Sequence, residues 1–322
     1  MATKLIGKDF LTIEQLEPDE LLGLIADAAW LKANRRPFDL LAGKSVALLF
    51  QKPSLRTRVS FEVAATELGA HCLYLSPAEV GLGEREDVAD VARVLSRYVH
   101  AIVARTFFHK DIEALARAAD IPVINGLSDQ SHPCQILGDL LTIQERFGSI
   151  RGLTVTFVGD GNNVARSLIE AAPRAGFAFR IACPSGYEPD ADAVERALNI
   201  DPESVVISQD PSSAVRGADV VYTDVWFSMG QEAEREQRAS IFPPFRLTAD
   251  LLQCASPQAI VMHCLPAHRG EEITDEVMES PQSAVFDQAE NRLHAQKALL
   301  ANLLAPQSAG GLWLAESTRA TK

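Results

Sequence analysis

The sequence predicts an α/β protein of two domains, each a parallel sheet flanked by helices, with a C-terminal helix returning to the first domain. Three observations predict this fold. Short β-branched runs alternate with amphipathic segments of helical period along most of the chain. These runs fall into two sets, separated by a segment between Gly148 and Gly152. The chain has 322 residues, enough for two domains at roughly 150 residues each.

The first set of elements is predicted between residues 45 and 147. Continuous apolar runs predict buried strands at Ser45–Phe50, Ala101–Arg105 and Pro122–Asn125. Apolar residues at helical spacing predict helices at about Thr57–Leu68, along Val88–Val99 and over Pro133–Phe147. Gly69 is well placed to end the first of these helices.

The second set of elements follows Gly152. The same apolar runs predict strands at Leu153–Gly159, Phe179–Pro184, Val205–Ser208, Val220–Val225 and Ala259–Leu265. A helix is expected over Val164–Ala175, and a last long helix over about Gln288–Leu304. We therefore expect a first domain at 1–149, completed by the helix at about 288–305, and a second domain at 150–287. Residues 306–322 are expected to form a mobile tail.

Charge and composition exclude several classes of protein. The chain has 43 acidic and 30 basic side chains, a net charge of −13, which argues against nucleic acid or an anionic membrane as a partner. No apolar run approaches the roughly 20 residues of a membrane-spanning helix, and the N-terminus lacks the pattern of a secretory signal. Five cysteines in so long a chain are typical of a reducing compartment. We expect a cytoplasmic protein.

The segment after the first predicted strand has the features of an anion site. Ligands of open parallel sheets bind at the carboxyl ends of strands. Ser54, Arg56 and Thr57 lie there at the start of a helix, whose free N–H groups favour an anion, and Arg105 ends a second strand. The structural alternative is that Ser54 only caps the helix while Arg56 and Arg58 pair with surface acids.

Four more polar residues follow or end predicted strands, namely His132, Asn163, Asp224 and Cys264. Each has an ordinary structural alternative. His132 suits a hydrogen-bonded residue at a helix start, Asn163 a helix cap and Asp224 a cap for Trp226, while Cys264 suits a core thiol. Their shared location at strand ends is what indicates a site.

Cofactor motifs are incomplete in this chain. Gly159-x-Gly161 follows a strand as in a dinucleotide site, but the third glycine position is Val164 and the next strand ends in Cys183-Pro184, without an acidic residue. Gly43-Lys44-Ser45 precedes its strand, which argues against a P-loop. The sequence has no HExxH and no paired CxxC. We expect neither a cofactor nor a metal.

Five segments in this order resemble those of the transcarbamylases, and within them the ornithine carbamoyltransferases. They are Ser54–Glu62, His132–Gln135, Gly159–Asn163, Asp224–Gly230 and His263–Pro266. The first two mark the superfamily, whereas the Ser-Met-Gly sequence ending at Gly230 and the His-Cys-Leu-Pro sequence mark the ornithine branch over the aspartate branch. The resemblance spans about residues 8–304.

The resemblance implies transfer of the carbamoyl group of carbamoyl phosphate to the side-chain amine of L-ornithine, giving L-citrulline and phosphate in arginine metabolism. Biosynthesis is the expected direction, and breakdown stays open because both directions use the same site. It implies a carbamoyl-phosphate domain followed by an ornithine domain with a closing loop at Ser228–Gly230, a homotrimer, and no cofactor. Two alternatives stay open. The chain could carbamoylate another amine, such as putrescine or N-acetylornithine, or bind carbamoyl phosphate without catalysis.

The resemblance also assigns roles to matching residues. Catalytic roles fall on Arg105, His132, Asp224 and Cys264. Carbamoyl phosphate is expected to contact Ser54, Leu55, Arg56, Thr57, Arg105, His132, Gln135, Cys264, Leu265 and Arg292. Ornithine is expected to contact Asn163, Asp224, Ser228 and Met229.

Two positions depart from the family pattern. Leu55 stands where the family usually has the first threonine of Ser-Thr-Arg-Thr, so one hydroxyl is absent. Gly81 stands where many members carry glutamine or histidine that reaches the neighbouring subunit's site. These departures put the phosphate contact at position 55 and the intersubunit contact at position 81 in doubt.

Overall fold

A computed structural model describes residues 5–227 and 234–305. It confirms the predicted class, since each of two compact units contains one all-parallel sheet flanked by helices. The first unit takes in the described residues up to Leu141 and from Asn291 onward, and the second runs from Thr142 to Glu290. Within those described ranges, no helix has the length and apolar character needed to cross a membrane. Ser228, Met229 and the expected tail at 306–322 lie outside the described residues.

The first unit is built on a four-stranded sheet in the order β2-β1-β3-β4. Its strands are β1 (Ser45–Phe50), β2 (His71–Leu75), β3 (Ala101–Arg105) and β4 (Val123–Leu127). Its helices are α1 (Pro18–Ala33), α2 (Leu55–Glu67), α3 (Pro77–Val80), α4 (Val88–Leu95), α5 (His109–Ala118) and α6 (Pro133–Phe147), after a 3-10 turn at Ile13–Gln15. The central strands β1 and β3 are buried almost throughout, which is why they read as continuous apolar runs.

The second unit is built on a five-stranded sheet in the order β7-β6-β5-β8-β9. Its strands are β5 (Thr154–Val158), β6 (Ala178–Ala182), β7 (Val205–Ser208), β8 (Val220–Thr223) and β9 (Ile260–His263). Its helices are α7 (Asn163–Ala175), α8 (Ala191–Ile200), α9 (Pro211–Val215), α10 (Arg235–Ile241), α11 (Ala249–Leu252) and α12 (Asp275–Met278), with a 3-10 turn at Pro243–Phe245. The last helix, α13, spans Val285–Leu304.

Each sheet reverses its strand order at one point. In the first sheet the chain proceeds outward in opposite directions from β1 and β3, and in the second sheet from β5 and β8. Ligands of open parallel sheets bind in the crevice at such a switch point, beyond the carboxyl ends of the two strands. The loops after β1 and β3, and those after β5 and β8, are therefore where function is expected.

From Asn291 onward, helix α13 packs within the first unit, as predicted from the sequence. The Lys297 ammonium is fully buried and lies 2.7 Å from a carboxylate oxygen of Glu67. A Cβ at Gly138 would lie 3.0 Å from Cγ of Arg292, so glycine in α6 permits this helix to approach closely. That approach brings Arg292 beside helix α2.

Candidate active site

The N-terminus of α2 lies at the switch point of the first sheet. Ser54 caps this helix, because its Oγ accepts a hydrogen bond from the backbone N–H of Thr57 at 3.2 Å. The structural alternative is therefore correct for the cap, and also for Arg58, whose Nε donates to Glu62 at 2.9 Å. A cap that accepts one bond still has a hydroxyl proton to donate. Leu55 is the first helical residue, and its side chain is 75% exposed.

Thr57 and Arg292 form a buried pair beside this helix start. Nη2 of Arg292 donates to Oγ1 of Thr57 at 2.7 Å. Because the threonine oxygen accepts this bond, its own proton can be donated to a ligand. Arg105 is buried at the end of β3, and its carbonyl oxygen accepts a hydrogen bond from the backbone N–H of Gln51 at 2.8 Å.

His132 is a buried, neutral imidazole directly before α6. Burial lowers its pKa well below the ordinary value, and the charges of Arg292, Arg105 and Arg56 lower it further. A neutral imidazole has one N–H donor. The three guanidinium groups whose fields act on His132 come from α13, β3 and α2, three elements far apart in the sequence.

Gln135 lies in the first turn of α6, three residues after His132, and is buried. Its Nε2 donates to Oδ1 of Asp139 at 2.8 Å, which fixes the amide orientation. Its Oε1 is buried and has no hydrogen-bond partner in the part of the chain that the structure describes. An oriented acceptor without a partner is suited to a ligand N–H.

These residues share the helix terminus or lie in the elements around it, and we call them the anion set. The anion set comprises Ser54, Leu55, Arg56, Thr57, Arg105, His132, Gln135 and Arg292. Three guanidinium groups and the free N–H groups of α2 give this region positive potential in a chain of net charge −13. The set is suited to an anion that also carries a carbonyl oxygen and an amide N–H.

The switch point of the second sheet carries a carboxylate. Asp224 follows β8 and is buried. Its Oδ2 accepts a hydrogen bond from Nδ2 of Asn162 at 2.8 Å, and its Oδ1 accepts one from the Cys264 thiol at 3.0 Å. The backbone N–H of Val225 also donates to Oδ1, at 2.8 Å. We call Asn162, Asp224 and Cys264 the acceptor set.

Asn162, not Asn163, caps helix α7. Its Oδ1 accepts from the backbone N–H groups of Val164 and Ala165, at 3.0 and 3.1 Å. The structural alternative of a cap at Asn163 is therefore wrong, since Asn163 is the first helical residue. One asparagine side chain thus satisfies the helix end with its oxygen and holds Asp224 with its nitrogen. Two adjacent asparagines give no sequence signal as to which is the cap.

Cys264 is half-buried, so the interpretation as a buried core thiol is wrong. Beside it, His263 is fully buried: its Nε2 lies 3.0 Å from Oε1 of Glu272, and its Nδ1 accepts from the backbone N–H of Leu265 at 2.9 Å. This pair of bonds fixes the neutral tautomer that carries its proton on Nε2. The bond to the backbone N–H also holds Leu265 at φ +57°, which costs a non-glycine residue about 1 kcal/mol. Sequence reasoning gave no role to Glu272.

Two groups of side chains in the second unit bring possible metal ligands together. The first is Asp224, His263 and Cys264, and the second is His268, Glu271 and Glu272. In the first group both ring nitrogens of His263 already take part in hydrogen bonds, so a metal would have to displace one of them. In the second, Arg235 donates to Oε1 of Glu271 at 3.1 Å. Neither group is preorganised for a metal.

Gly81 has a conformational reason to be glycine. It ends helix α3 at φ +59°, and a Cβ there would lie 2.8 Å from Cβ of Arg85. Glutamine or histidine at this position would be strained in the backbone and would force Arg85 to move. The chain therefore offers no side chain at residue 81 for an intersubunit contact.

Family models match both halves of the chain. Residues 8–145 match the carbamoyl-P binding domain of aspartate/ornithine carbamoyltransferase, and residues 151–303 match its Asp/Orn binding domain. The chain belongs to the aspartate/ornithine carbamoyltransferase family. Within that family the Ser-Met-Gly and His-Cys-Leu-Pro sequences predict the ornithine branch, and the similar proteins are named ornithine carbamoyltransferases.

Similar proteins match over almost their whole length. The ornithine carbamoyltransferase of Pyrococcus abyssi is 53% identical over 310 residues, which cover 94% of this chain and 98% of that protein. The anabolic ornithine carbamoyltransferase of Pyrococcus furiosus is 53% identical over 308 residues, covering 94% and 98%. A solved structure of ornithine carbamoyltransferase from P. furiosus matches with a TM-score of 0.90 at 52% identity, covering 94% of this chain and 98% of that one.

Proposed function

We propose that this chain is an ornithine carbamoyltransferase, which transfers the carbamoyl group of carbamoyl phosphate to the side-chain amine of L-ornithine. The products are L-citrulline and phosphate, and the pathway direction is arginine biosynthesis. In domain terms, residues 1–149 with the helix at about 288–305 bind carbamoyl phosphate, and residues 150–287 bind ornithine. The family membership and the two chemically opposite residue sets support this proposal.

The phosphate of carbamoyl phosphate binds at the N-terminus of α2. The guanidinium of Arg56, the hydroxyl of Ser54 and the backbone N–H groups of residues 55–57 are its donors. Leu55 takes part through its backbone N–H, because its apolar side chain has no hydrogen-bond donor. The missing hydroxyl at that position then costs little affinity.

The carbamoyl group is held by the buried members of the anion set. Arg105, the Thr57 hydroxyl and neutral His132 donate to the carbonyl oxygen, where negative charge develops as the amine attacks. Arg292 supports this arrangement through its hydrogen bond to Thr57. Oε1 of Gln135 accepts from the carbamoyl NH₂, and the backbone carbonyls of Cys264 and Leu265 are further acceptors for it.

Ornithine binds to the second unit as a cation. Asn163 and Asp224, with Ser228 and the backbone of Met229, bind its α-amino and α-carboxylate groups. Asp224 and Cys264 orient the side-chain amine, which must be unprotonated to attack. The amine nitrogen then forms a bond to the carbamoyl carbon, the carbon–oxygen bond to phosphate breaks, and the departing phosphate takes the electron pair and the amine's proton.

The carboxylate of Asp224, held on both oxygens by Asn162 and Cys264, is the observation that carries the proposal. A preorganised buried carboxylate attracts a cationic acceptor such as ornithine and repels an anionic one such as aspartate. The relatives named above are ornithine carbamoyltransferases, in agreement with this choice of acceptor.

The proposal includes a homotrimer in the cytoplasm. Leu55 and Val59 on α2 and Leu73 on the edge strand β2 are apolar side chains exposed on neighbouring elements of a single chain. Such a surface is typical of a subunit interface. Light scattering is expected to give three times the 35.0 kDa mass of the chain, and a monomeric mass would contradict the trimer. None of the five cysteines, all within the described residues, forms a disulfide, which supports a reducing compartment.

An acceptor panel tests the proposed reaction. Carbamoyl transfer from carbamoyl phosphate is measured with ornithine, putrescine, N-acetylornithine and aspartate at pH 8, without added metal or nucleotide. We expect citrulline from ornithine and no product from the other amines. Preference for another amine would overturn the ornithine pocket but keep the phosphate site. Binding of carbamoyl phosphate without transfer to any amine would favour a catalytically silent protein.

A further inference from the structure

Arg238, in helix α10, is a buried arginine of the second unit that is linked by hydrogen bonds to the turns of the acceptor set. No role was assigned to it above, and it lies outside the five family-like segments. Its Nη1 donates to Oδ2 of Asp160 at 2.9 Å and to the backbone carbonyl of Trp226 at 2.8 Å. Its Nε donates to Glu234 at 2.8 Å. The aromatic rings of Tyr187 and Phe242 flank its guanidinium, with centroids 4.7 and 5.7 Å from Cζ.

These contacts connect Arg238 to two of the three strand ends that carry the acceptor set, those of β5 and β8. Asp160 lies in the turn after β5, and its backbone carbonyl accepts from the N–H of Asn162 at 2.7 Å. Asn162 in turn donates from Nδ2 to Asp224 after β8. Trp226 lies two residues before Ser228, one of the residues expected to bind ornithine. The guanidinium of Arg238 therefore fixes two parts of the chain. One is the turn at Asp160–Asn162, which orients Asp224, and the other is the backbone at Trp226.

The electrostatics explain why an arginine is needed at this point. Burial raises the pKa of Asp160, and the nearby carboxylates of Asp224 and Glu234 raise it further, whereas Arg238 opposes both effects. Without a cation, two buried carboxylates would lie near one another and Asp160 would tend to bind a proton. If Asp160 is protonated or displaced, its ion pair with Arg238 is lost. The turn that contains Asn162 is then no longer fixed to helix α10.

We infer that Arg238 is a positioning residue for ornithine, acting through its ion pair with Asp160 and its hydrogen bond to the Trp226 carbonyl. This inference rests on the proposed function. Arg238 does not touch the reacting atoms in this account. It sets the orientation of Asp224, through Asn162, and of the chain before Ser228, so that its loss weakens ornithine binding and leaves carbamoyl-phosphate binding intact.

The test uses Arg238→Met, which keeps an unbranched apolar stem but removes the guanidinium group, together with Arg238→Lys, Asp160→Asn and the double variant Arg238→Met/Asp160→Asn. Arg180→Met is the matched control. Arg180, in the same unit, donates to the backbone carbonyls of Ala214 and Arg216 and lies in neither residue set. Steady-state kinetics give the two KM values and kcat for each protein, and thermal unfolding is recorded on the same samples.

For Arg238→Met we expect a KM for ornithine raised at least tenfold, and a KM for carbamoyl phosphate within twofold of the wild type. Arg238→Lys should recover part of the loss, since it restores the charge but not the paired geometry. Because Arg238 and Asp160 act as one unit, the double variant should be little worse than the worse single variant. Arg180→Met should leave both KM values unchanged even where it lowers the melting temperature.

Two failures are distinguishable. A wild-type protein that makes no citrulline would overturn the proposed function itself. Citrulline formation with an unchanged ornithine KM in Arg238→Lys and Asp160→Asn would overturn the positioning role alone, as would equal changes in both KM values. If Arg238→Met fails to fold, those two milder variants decide the matter.

Discussion

The anion set and the acceptor set occupy equivalent places in their two sheets and have opposite chemistry. Each lies around the switch point of a parallel sheet, beyond the carboxyl ends of its central strands and of one further strand, β4 in the first sheet and β9 in the second. The first collects three guanidinium groups and a helix N-terminus around neutral His132. The second presents one carboxylate, held by an amide and a thiol. The same sheet architecture thus suits an anionic ligand in one unit and a cationic ligand in the other. The residues that follow the strands determine the charge of the ligand.

The two sets are also preorganised by different means. In the anion set, donors come from helices α2 and α13, from strand β3 and from His132 directly before α6, and burial keeps His132 uncharged. In the acceptor set, both carboxylate oxygens of Asp224 already accept hydrogen bonds from the protein. The difference teaches that the first set offers its ligand mainly donors, with Oε1 of Gln135 as an acceptor, whereas the second set orients one carboxylate. Substitutions in each set should therefore affect one substrate selectively.

The largest expected effect is that of Arg56→Ala. Loss of a charged donor to the phosphate and to the departing group should lower kcat/KM for carbamoyl phosphate by about 10²–10³-fold. The control is Lys52→Ala, since Lys52 is a neighbouring buried cation whose ammonium lies 4.7 Å from the ring centroid of Phe107. That variant should lose less than tenfold. Equal losses would mean that the phosphate site is misplaced.

Asp224→Asn should give the next largest effect, on the other substrate. The amide keeps the size of the side chain but removes the charge, and hydrogen bonds to a charged group are worth about 1.5–3 kcal/mol, or roughly 10–150-fold in kcat/KM for ornithine. The KM for carbamoyl phosphate should stay within twofold. The matched control is Asp219→Asn, because Asp219 accepts from the backbone N–H of Thr154 in the same unit. A comparable loss in the control would contradict a specific role.

The pH dependence of the rate distinguishes the two sets, because the group expected to titrate between pH 7 and 9 is the side-chain amine of ornithine, which binds beside the acceptor set. An amine with a pKa of about 10.4 gains about tenfold in its reactive form for each pH unit, so kcat/KM for ornithine should rise accordingly. The pKa of His132 is held well below its ordinary value by burial and by three arginines, so the imidazole stays neutral over this whole range. Carbamoyl-phosphate binding should then show no inflection from this histidine. A flat rate profile would contradict the need for free amine.

The smallest expected effect is that of Leu55→Thr, which restores the usual family residue. If the phosphate is bound by the backbone N–H of residue 55, the KM for carbamoyl phosphate should change by less than twofold. A fall of tenfold or more would show that the hydroxyl itself contributes, and that this chain has lost a phosphate contact. Leu55→Ala is the control for removal of an exposed apolar side chain.

The sequence predicts best what is buried on both faces. The runs at Ser45–Phe50 and Ala101–Arg105 match the buried strands β1 and β3, and the helix over Pro133–Phe147 matches α6. The run at Val205–Ser208 also matches its strand, although β7 is an edge strand with exposed Val206 and Ile207. Strand β2 is not predicted, because it is an edge strand in which no residue is buried. Helix α1 was also missed, although Pro18 in its first turn was a readable signal.

The roles of Asn162 and Arg238 could not be predicted from local patterns. Asn162 and Asp224 are 62 residues apart in the chain, and Asp160 and Arg238 are 78 apart. No local periodicity encodes such pairs. The family-like segments identified Asp224 because it lies at a strand end, but the side chains that hold it come from other turns. Contacts between a site residue and the side chains that hold it depend on tertiary structure, which a single sequence does not show.

Calorimetric titration of carbamoyl phosphate alone into the wild-type protein, Arg56→Ala and Asp224→Asn tests the separation of the two sets most directly. We expect the same Kd for the wild type and Asp224→Asn, and a Kd raised at least a hundredfold for Arg56→Ala. Loss of carbamoyl-phosphate binding in Asp224→Asn, or full retention in Arg56→Ala, would contradict it.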